Sequence, residues 1–435
     1  MDKFIIRGGR PLKGEVSVVG AKNSVLPLMA AALLPSTGTS VIRNVPDLAD
    51  VHTMARVLVH LGARVTFDTE RQVLEINASG VNKTEAPYDL VRKMRASFMV
   101  MGPLLARFQE ARVSLPGGCS LGQRPVNLHL RGFERMATTF SEDHGYIHGR
   151  TAGLVGATVH FDRPSHTGTE NIMIGAALAK GSTHIINAAC DPEVDDVARF
   201  LNAMGARIMG AGTTQIKIEG VTSLRAADVE VMPDRLEAGT YLMAGGITGG
   251  DVTVTHCVPD HLELVLQKMV EMGCRFDRKP DSVRVQGPKR LRAADMVTFP
   301  YPGYPTDLQA AHMSLCCVAD GSSHVRETVF EDRFTHVMEL SRLGASIKVA
   351  GDEATIKGVP ELSGASVMAS DIRAGAGLVV ASLAAHNTTE VLRIYHIDRG
   401  YVQMEERLAH LGADISRVDT DSGKVVEKPR FPVGV

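Results

Sequence analysis

The sequence predicts an α/β protein of two domains, each made of three repeats of one strand-and-helix unit, with a cleft between the domains. Three observations predict it: a small-residue turn at a fixed period, glycine stops after apolar helices, and strand patterns that alternate with helical ones. The turn reads Leu61-Gly62-Ala63, Met204-Gly205-Ala206, Met272-Gly273-Cys274, Leu343-Gly344-Ala345 and Leu411-Gly412-Ala413. The last four copies are 68, 71 and 68 residues apart, and the 143 residues between the first two span two periods. The copy needed to fill that gap is the degenerate Met136-Ala137-Thr138.

Taken in order, Phe4 to Val19 reads as a first strand and Val25 to Leu34 as a helix with no polar face. That helix stops at Gly38; its later counterparts, such as Ile172 to Ala179, stop at Gly181, Gly250, Gly321 or Asn387, residues suited to a left-handed cap. A Thr/Ser/Val-rich strand follows each stop, then an amphipathic helix, the small-residue turn and a further strand. Helices apolar on every side must be buried on every side. Six units divide into three and three, with seams near residues 20 and 232. The domains are then 21–232, and 1–20 joined to 233–435, so the first strand belongs with the second domain. Two chain crossings between domains suit a cleft that closes around chemistry. Beyond Ile415 the chain is polar and reads as a frayed tail.

Composition narrows the functional classes. A chain of 435 residues with 44% hydrophobic and 22% charged residues is globular, and a net charge of −2 gives no bulk attraction to nucleic acid or an anionic membrane. Any anion site must be local. The opening Met1-Asp2-Lys3-Phe4-Ile5-Ile6-Arg7 has no charged leader before an apolar core, and no apolar run approaches the roughly 18 residues of a membrane span, so a cytoplasmic location is expected. The six cysteines include no CxxC pair and imply neither a zinc site nor a disulfide framework; Cys190, Cys257, Cys274, Cys316 and Cys317 read as core thiols. There is no GxxxxGK[ST], HExxH or strand-linked GxGxxG, and His144 and His148 near Asp143 read as surface residues. No metal, cofactor or obligate protein partner is expected.

What is not shared between the repeats is where function should be sought. Lys22 in Gly20-Ala21-Lys22-Asn23 and Arg95 in Met94-Arg95-Ala96-Ser97 open helices, with Arg373 and Arg399 in comparable places. A cation at a helix mouth adds to the orphan N–H groups and the dipole to make an anion site; the plainer alternative for Lys22 is a surface lysine. In Leu115-Pro116-Gly117-Gly118-Cys119-Ser120-Leu121-Gly122-Gln123-Arg124-Pro125 a thiol sits on a glycine-rich loop near Arg124. Cys119 there is either an activated acid or nucleophile, or a bystander. In Tyr304-Pro305-Thr306-Asp307-Leu308-Gln309, Thr306 or Asp307 caps the next helix, or the Asp307 carboxylate accepts a proton from a substrate hydroxyl, and Asp234-Arg235 and Asp371-Ile372-Arg373 pose the same choice.

These motifs, with Arg124-Pro125-Val126 and Tyr395-His396-Ile397-Asp398-Arg399-Gly400-Tyr401, resemble the UDP-N-acetylglucosamine enolpyruvyl transferases of the EPSP synthase superfamily nearly end to end. The resemblance implies two inside-out, barrel-like α/β domains, each of three βαβαββ-type units, in a cytoplasmic transferase of peptidoglycan synthesis, a target of fosfomycin, whose partners are phosphoenolpyruvate and UDP-N-acetylglucosamine. It implies that phosphoenolpyruvate lies against Lys22, Arg95, Cys119, Arg124 and Arg399, that Asp307 takes the proton of the sugar 3-hydroxyl, and that Cys119 acts as general acid or assists product release. The UDP-sugar would follow Arg124, Pro125, Val126, Asn127, Leu128 and His129, with Ser165, Thr167, the Val329-Phe330-Glu331 turn, Arg373 and, at the sugar, Asn23. Two departures fall there: Asn127 stands in place of a usual aspartate, and Ser165-His166-Thr167-Gly168-Thr169 in place of Ser-Val-Gly-Ala-Thr. The alternatives are the shikimate-pathway enolpyruvyl transferase, not expected to carry the Cys119 loop, and a non-catalytic UDP-sugar-binding paralogue, against which the intact Lys22, Cys119, Asp307 and Arg399 argue.

Overall fold

The computed structural model describes residues 2–92, 94–115 and 126–426. These form two compact units: a middle unit from Gly20 to Met232, and a terminal unit that joins the residues up to Val19 to those from Pro233 onward.

Each unit holds three four-stranded sheets of one pattern. In the middle unit Thr158–His160 runs parallel to Ser182–Ile186, which is antiparallel to Gln215–Glu219, which is antiparallel to Arg207–Met209. A parallel pair needs a crossover, and the buried helix His166–Ala176 supplies it. The amphipathic helix Pro192–Met204 then leads into the closing hairpin. Three repeats borrow a strand from far along the chain. Asp228–Glu230 lies parallel to Ser40–Arg43, and Lys13–Ser17 parallel to Asp251–Thr255. Asp2–Arg7 sits between Thr388–Leu392 and Asp414–Asp419, antiparallel to both.

This corrects two expectations. The segment Phe4 to Val19 is two strands in two sheets, because the chain turns at Gly8 and Gly9: Gly9 has φ +83, and a Cβ on Gly8 would stand 2.3 Å from the Ser382 carbonyl oxygen. The polar stretch beyond Ile415 is ordered as strand to Asp419, since Lys3 pairs with Val418 and Asp2 with Asp419.

The helices at the centre of each unit are buried along nearly their whole length. In the terminal unit they are Arg235–Ile247, Gln309–Cys317 and Ile372–Leu383, packed on one another. In the middle unit Lys22–Ala31, His166–Ala176 and the first five residues of Met101–Phe108 play the same part. Helix backbones meet closely where a side chain is missing. A Cβ on Gly377 would lie 2.9 Å from the Ala310 carbonyl carbon, and the Ser314 hydroxyl donates to the Gly377 carbonyl at 2.8 Å. Four of the cysteines are buried, and burial pushes the thiols of Cys257, Cys274 and Cys316 up to about 11, 12 and 12. Cys190 is only half-buried, in the segment between the strand Ser182–Ile186 and the helix Pro192–Met204, and so is not a core thiol. Among the described residues no helix is long and apolar enough to cross a membrane.

The repeated turn has a common backbone. Gly62, Gly205, Gly273, Gly344 and Gly412 have φ from +92 to +107, and Ala137 occupies the same place at φ +68. Gly38, Gly181, Gly321 and Asn387 are also left-handed, but in the fourth copy the residue with positive φ is Gly249 (+60) rather than Gly250, and the remaining copy is Gln109 (+61). Alanine in the left-handed region is strained by roughly 1–2 kcal/mol, more than glycine's entropic disadvantage of about 0.5–1 kcal/mol. Ala137 is exposed and gives up no packing. Ala137→Gly is therefore expected to raise the thermal midpoint and Gly205→Ala to lower it; a lower midpoint for Ala137→Gly would contradict this account of the degenerate turn.

Candidate active-site residues

In the middle unit, Lys22 is the first residue of the helix Lys22–Ala31 and is 7% exposed. Its Nζ lies 2.6 Å from Asp50 Oδ2, in the first turn of the helix Ala49–Leu61, and both side chains are buried. Lys22 is thus no surface lysine. A buried ion pair persists only when geometry repays desolvation, and removal of one partner typically costs about 3–5 kcal/mol. The neighbouring Ser24 hydroxyl donates to Asp196 Oδ2, which also accepts from the Met232 N–H at 3.1 Å, so the helix mouth is fastened at two points. Asn23, between them, is half-buried.

Arg95 opens the 3-10 helix Arg95–Val100 and gathers a second group. His129, from the helix Asn127–Arg135, is fully buried, and burial first, then the charge of Arg95, lowers its pKa to about 3. The Asn171 side-chain amide donates to the Phe98 carbonyl (3.3 Å) and to His129 Nδ1 (3.0 Å), while its oxygen accepts from the Gly102 N–H (2.9 Å). The ring proton is thereby assigned to Nε2, which faces the Thr167 hydroxyl at 3.3 Å. The structure therefore brings Arg95, His129 and Thr167 together. Val126 is buried, Leu128 half-buried and Asn127 exposed at the helix start. Ser165 caps the helix His166–Ala176, its hydroxyl accepting from the Gly168 N–H.

Next to Ser165, His166 Nε2 is 3.1 Å from Glu170 Oε1, and its Nδ1 is 3.7 Å from Asp191 Oδ1. Burial alone would lower this imidazole, but the charges of Glu170, Asp191 and Glu193 raise it to about 10. His166, Asp191 and Glu193 also present ligand-type atoms within 4.8 Å of one another, the one such set among the described residues. Held at about 10, the ring carries a proton at neutral pH and so offsets part of that negative charge.

In the terminal unit, the centre is Asp307, on the 3-10 turn Thr306–Leu308. Three aspartates at comparable helix starts behave differently. Asp234 accepts from the Leu236 and Glu237 N–H groups, and Asp371 from those of Arg373 and Ala374, so both are caps. Asp307 meets side chains from other segments: Arg333 Nη2 donates to its Oδ1 at 2.7 Å, and Arg373 Nε to its Oδ2 at 3.1 Å. Arg333 and Arg373 are 5% and 6% exposed. Arg373 lies over the Tyr401 ring at 5.3 Å, and its pKa is raised because Tyr401, Asp307 and Asp234 outweigh burial. Its Nη1 is buried without a hydrogen-bond partner, a donor for which an anion is the natural complement.

Arg399 ends the 3-10 helix Ile394–Arg399, so it follows a short helix and does not open one. Its segment is anchored by buried Arg417, which donates to Glu405 Oε1 (2.6 Å) and Asp398 Oδ2 (3.0 Å). Val329 and Phe330 are half-buried, and their N–H groups donate to Glu327 Oε1 at 2.9 and 3.1 Å. Cys119, Arg124 and Pro125 lie outside the described residues. Sequence reasoning missed Asp50, Arg333, Glu327 and the partners of His166. Only Asp50 carried a local signal, an acid in the first turn of an amphipathic helix.

The fold is that of the enolpyruvyl transferases: the chain superposes on the enolpyruvyl transferase NikO from Streptomyces tendae with a TM-score of 0.86 at 26% identity, over 96% of this chain and 98% of that one. EPSP synthase from Acinetobacter baumannii shares the fold, with a TM-score of 0.75 at 16% identity over 96% and 100% of the two chains. Residues 6–408 match the sequence model of EPSP synthase (3-phosphoshikimate 1-carboxyvinyltransferase). Proteins named UDP-N-acetylglucosamine 1-carboxyvinyltransferase from Desulfosudis oleivorans and from Anaeromyxobacter sp. Fw109-5 are 50% and 52% identical, over 96% of this chain and 100% and 99% of theirs. The chain belongs to this family.

His129 gives a pH test. The ring stays neutral in the folded protein down to about pH 3, whereas in the unfolded chain it takes a proton as the pH falls through about 6.5. A depressed folded value means that stability is intact above pH 6.5 and declines between there and pH 3. The His129 ring is expected to show no NMR titration between pH 7.5 and 4.5; a midpoint near 6.5 would refute its burial beside Arg95.

Proposed function

We propose that the chain transfers the enolpyruvyl group of phosphoenolpyruvate to the 3-hydroxyl of UDP-N-acetylglucosamine and releases phosphate, committing the sugar to peptidoglycan synthesis in the cytoplasm. The observation that carries this reading is about 50% identity, over almost the whole of both chains, to proteins named for that reaction.

In this reading Asp307 accepts the proton of the sugar 3-hydroxyl. The oxygen attacks C2 of phosphoenolpyruvate as C3 gains a proton, which gives a tetrahedral ketal. Loss of the C3 proton then restores the double bond as the C2–O bond to phosphate breaks. The two guanidinium groups on Asp307 hold both carboxylate oxygens in place, and the orphan Arg373 donor offers a bond to an anionic substrate. Lys22, Arg95, Arg124 and Arg399 supply further positive charge for the phosphate and carboxylate, and Cys119 the acid. Asn23, Pro125, Val126, Asn127, Leu128, Ser165, Thr167 and Val329 hold the UDP-sugar. Lys22 already neutralises Asp50, so an incoming phosphate shares that ammonium rather than meeting an uncompensated one.

A substrate panel tests the acceptor. Phosphate release is expected from phosphoenolpyruvate with UDP-N-acetylglucosamine and not with shikimate 3-phosphate or with phosphoenolpyruvate alone. Release with the shikimate ester would favour the sister activity, and binding of the UDP-sugar without any release would favour a non-catalytic role.

Cys119→Ser should lower turnover at neutral pH by about 10²–10⁴-fold, the usual worth of a positioned acid, and abolish covalent labelling by fosfomycin. Labelling that survives the substitution would place the reactive thiol elsewhere.

A further inference from the structure

Glu327 follows the strand Ser322–Arg326 and is 4% exposed, yet no step of the proposed reaction uses it. Its Oε1 accepts from the Thr298 hydroxyl (2.8 Å) and from the Val329 and Phe330 N–H groups (2.9 and 3.1 Å). Its Oε2 accepts from the Thr306 hydroxyl at 2.8 Å. The Thr306 oxygen in turn accepts from Arg333 Nη1 at 2.7 Å, and the other arm of the same guanidinium, Nη2, reaches Asp307 Oδ1 at 2.7 Å.

This is a continuous chain of directed bonds from Glu327 to Asp307. The Thr306 hydroxyl has one proton; Glu327 takes it, which leaves the oxygen lone pairs to Arg333. Arg333, with its planar fork held at one arm by Thr306 and its face over the Phe330 ring at 5.1 Å, has one orientation in which to meet Asp307. Phe330 is itself in the turn that Glu327 holds through its backbone. One buried carboxylate therefore fixes both the turn at Val329–Phe330 and the guanidinium that aims Asp307.

We infer that Glu327 is a positioning residue for the enolpyruvyl transfer proposed above: it orients Asp307 through Thr306 and Arg333 and ties that orientation to the Val329–Phe330 turn. The inference rests on the transfer reading. Glutamine at 327 keeps the size but replaces one accepting oxygen by a donating amide, which faces either the two backbone N–H groups or the Thr306 hydroxyl. Misplacement of a reacting group by about 1 Å costs on the order of 10²-fold in rate.

The test is steady-state phosphate release by the full chain, with wild type alongside. Glu327→Gln is expected to lower kcat by about 10- to 100-fold with the KM for phosphoenolpyruvate little changed, and to displace the acid limb of the kcat–pH profile. Thr306→Val should show a similar loss, Thr306→Ser should restore it, and the double variant Glu327→Gln/Thr306→Val should be no worse than the worse single one. An unaltered kcat and pH profile in a folded Glu327→Gln variant, or fully additive losses, overturns the inference. Should Glu327→Gln fail to fold, full activity in Thr306→Val overturns it equally. A wild-type chain inactive with every acceptor would bring down the transfer reading and this role together, whereas an active wild type beside an unaffected Glu327→Gln removes only the role of Glu327.

Discussion

The burial of helices on all sides is the constraint from which the rest follows. A helix such as Gln309–Cys317 or Ile372–Leu383 has no face to offer water, so it is stable only when other elements surround it completely. Three such helices packed together, with sheets around them, meet that demand in each unit, and glycine at 377 lets two of them touch backbone to backbone. Many of the charged groups then stand at helix ends, where orphan N–H groups already require partners. Lys22, Asp234, Asp371, Arg373 and Asp307 all stand at or beside such ends.

Those ends divide by whether the local partners consume the charge. Asp234 and Asp371 are spent on their own backbone, each accepting two N–H groups of the helix that it starts. Asp307, on a 3-10 turn after Pro305, meets two arginines from other segments. The two arginines hold the Asp307 carboxylate at fixed angles, the orientation that the proposed reaction asks of it.

The repeat was legible because its signal is backbone strain: a left-handed residue recurs after each amphipathic helix, and glycine is the usual way to relieve it. Where the chain tolerates the strain the signal vanished: at Ala137 only the spacing betrayed the copy, and the stop at Gln109 was not read at all. Lys22, Arg373 and Asp307 were legible as candidates since each sits one or two residues from an apolar run. Arg333 and Glu327 were not. Glu327 reads as an ordinary polar residue after a strand, and its burial depends on Thr298, Thr306 and the 329–330 turn, contacts fixed only by tertiary packing. The Lys22–Asp50 pair is hidden for the same reason, as it joins two helices whose relative placement no local pattern encodes.

His166 shows how a departure from a family pattern is accommodated. Imidazole here replaces an apolar valine of the resembled pattern, in a place where Glu170 is fully buried and Asp191 and Glu193 are close by. Three carboxylates with no cation would repel one another at low dielectric, and a neutral ring would present a lone pair to one of them. A proton held at about 10 resolves both conflicts, with Nε2 donating to Glu170 and Nδ1 turned toward Asp191. The flanking residues keep their own bonds, Ser165 to the Gly168 N–H and Thr167 to His129, so the substitution adds a fixed positive charge between two hydroxyl-bearing residues without disturbing either. A charge so placed is already neutralised by its carboxylates, and its effect is to lock the start of the buried helix His166–Ala176 rather than to present a free cation to solvent.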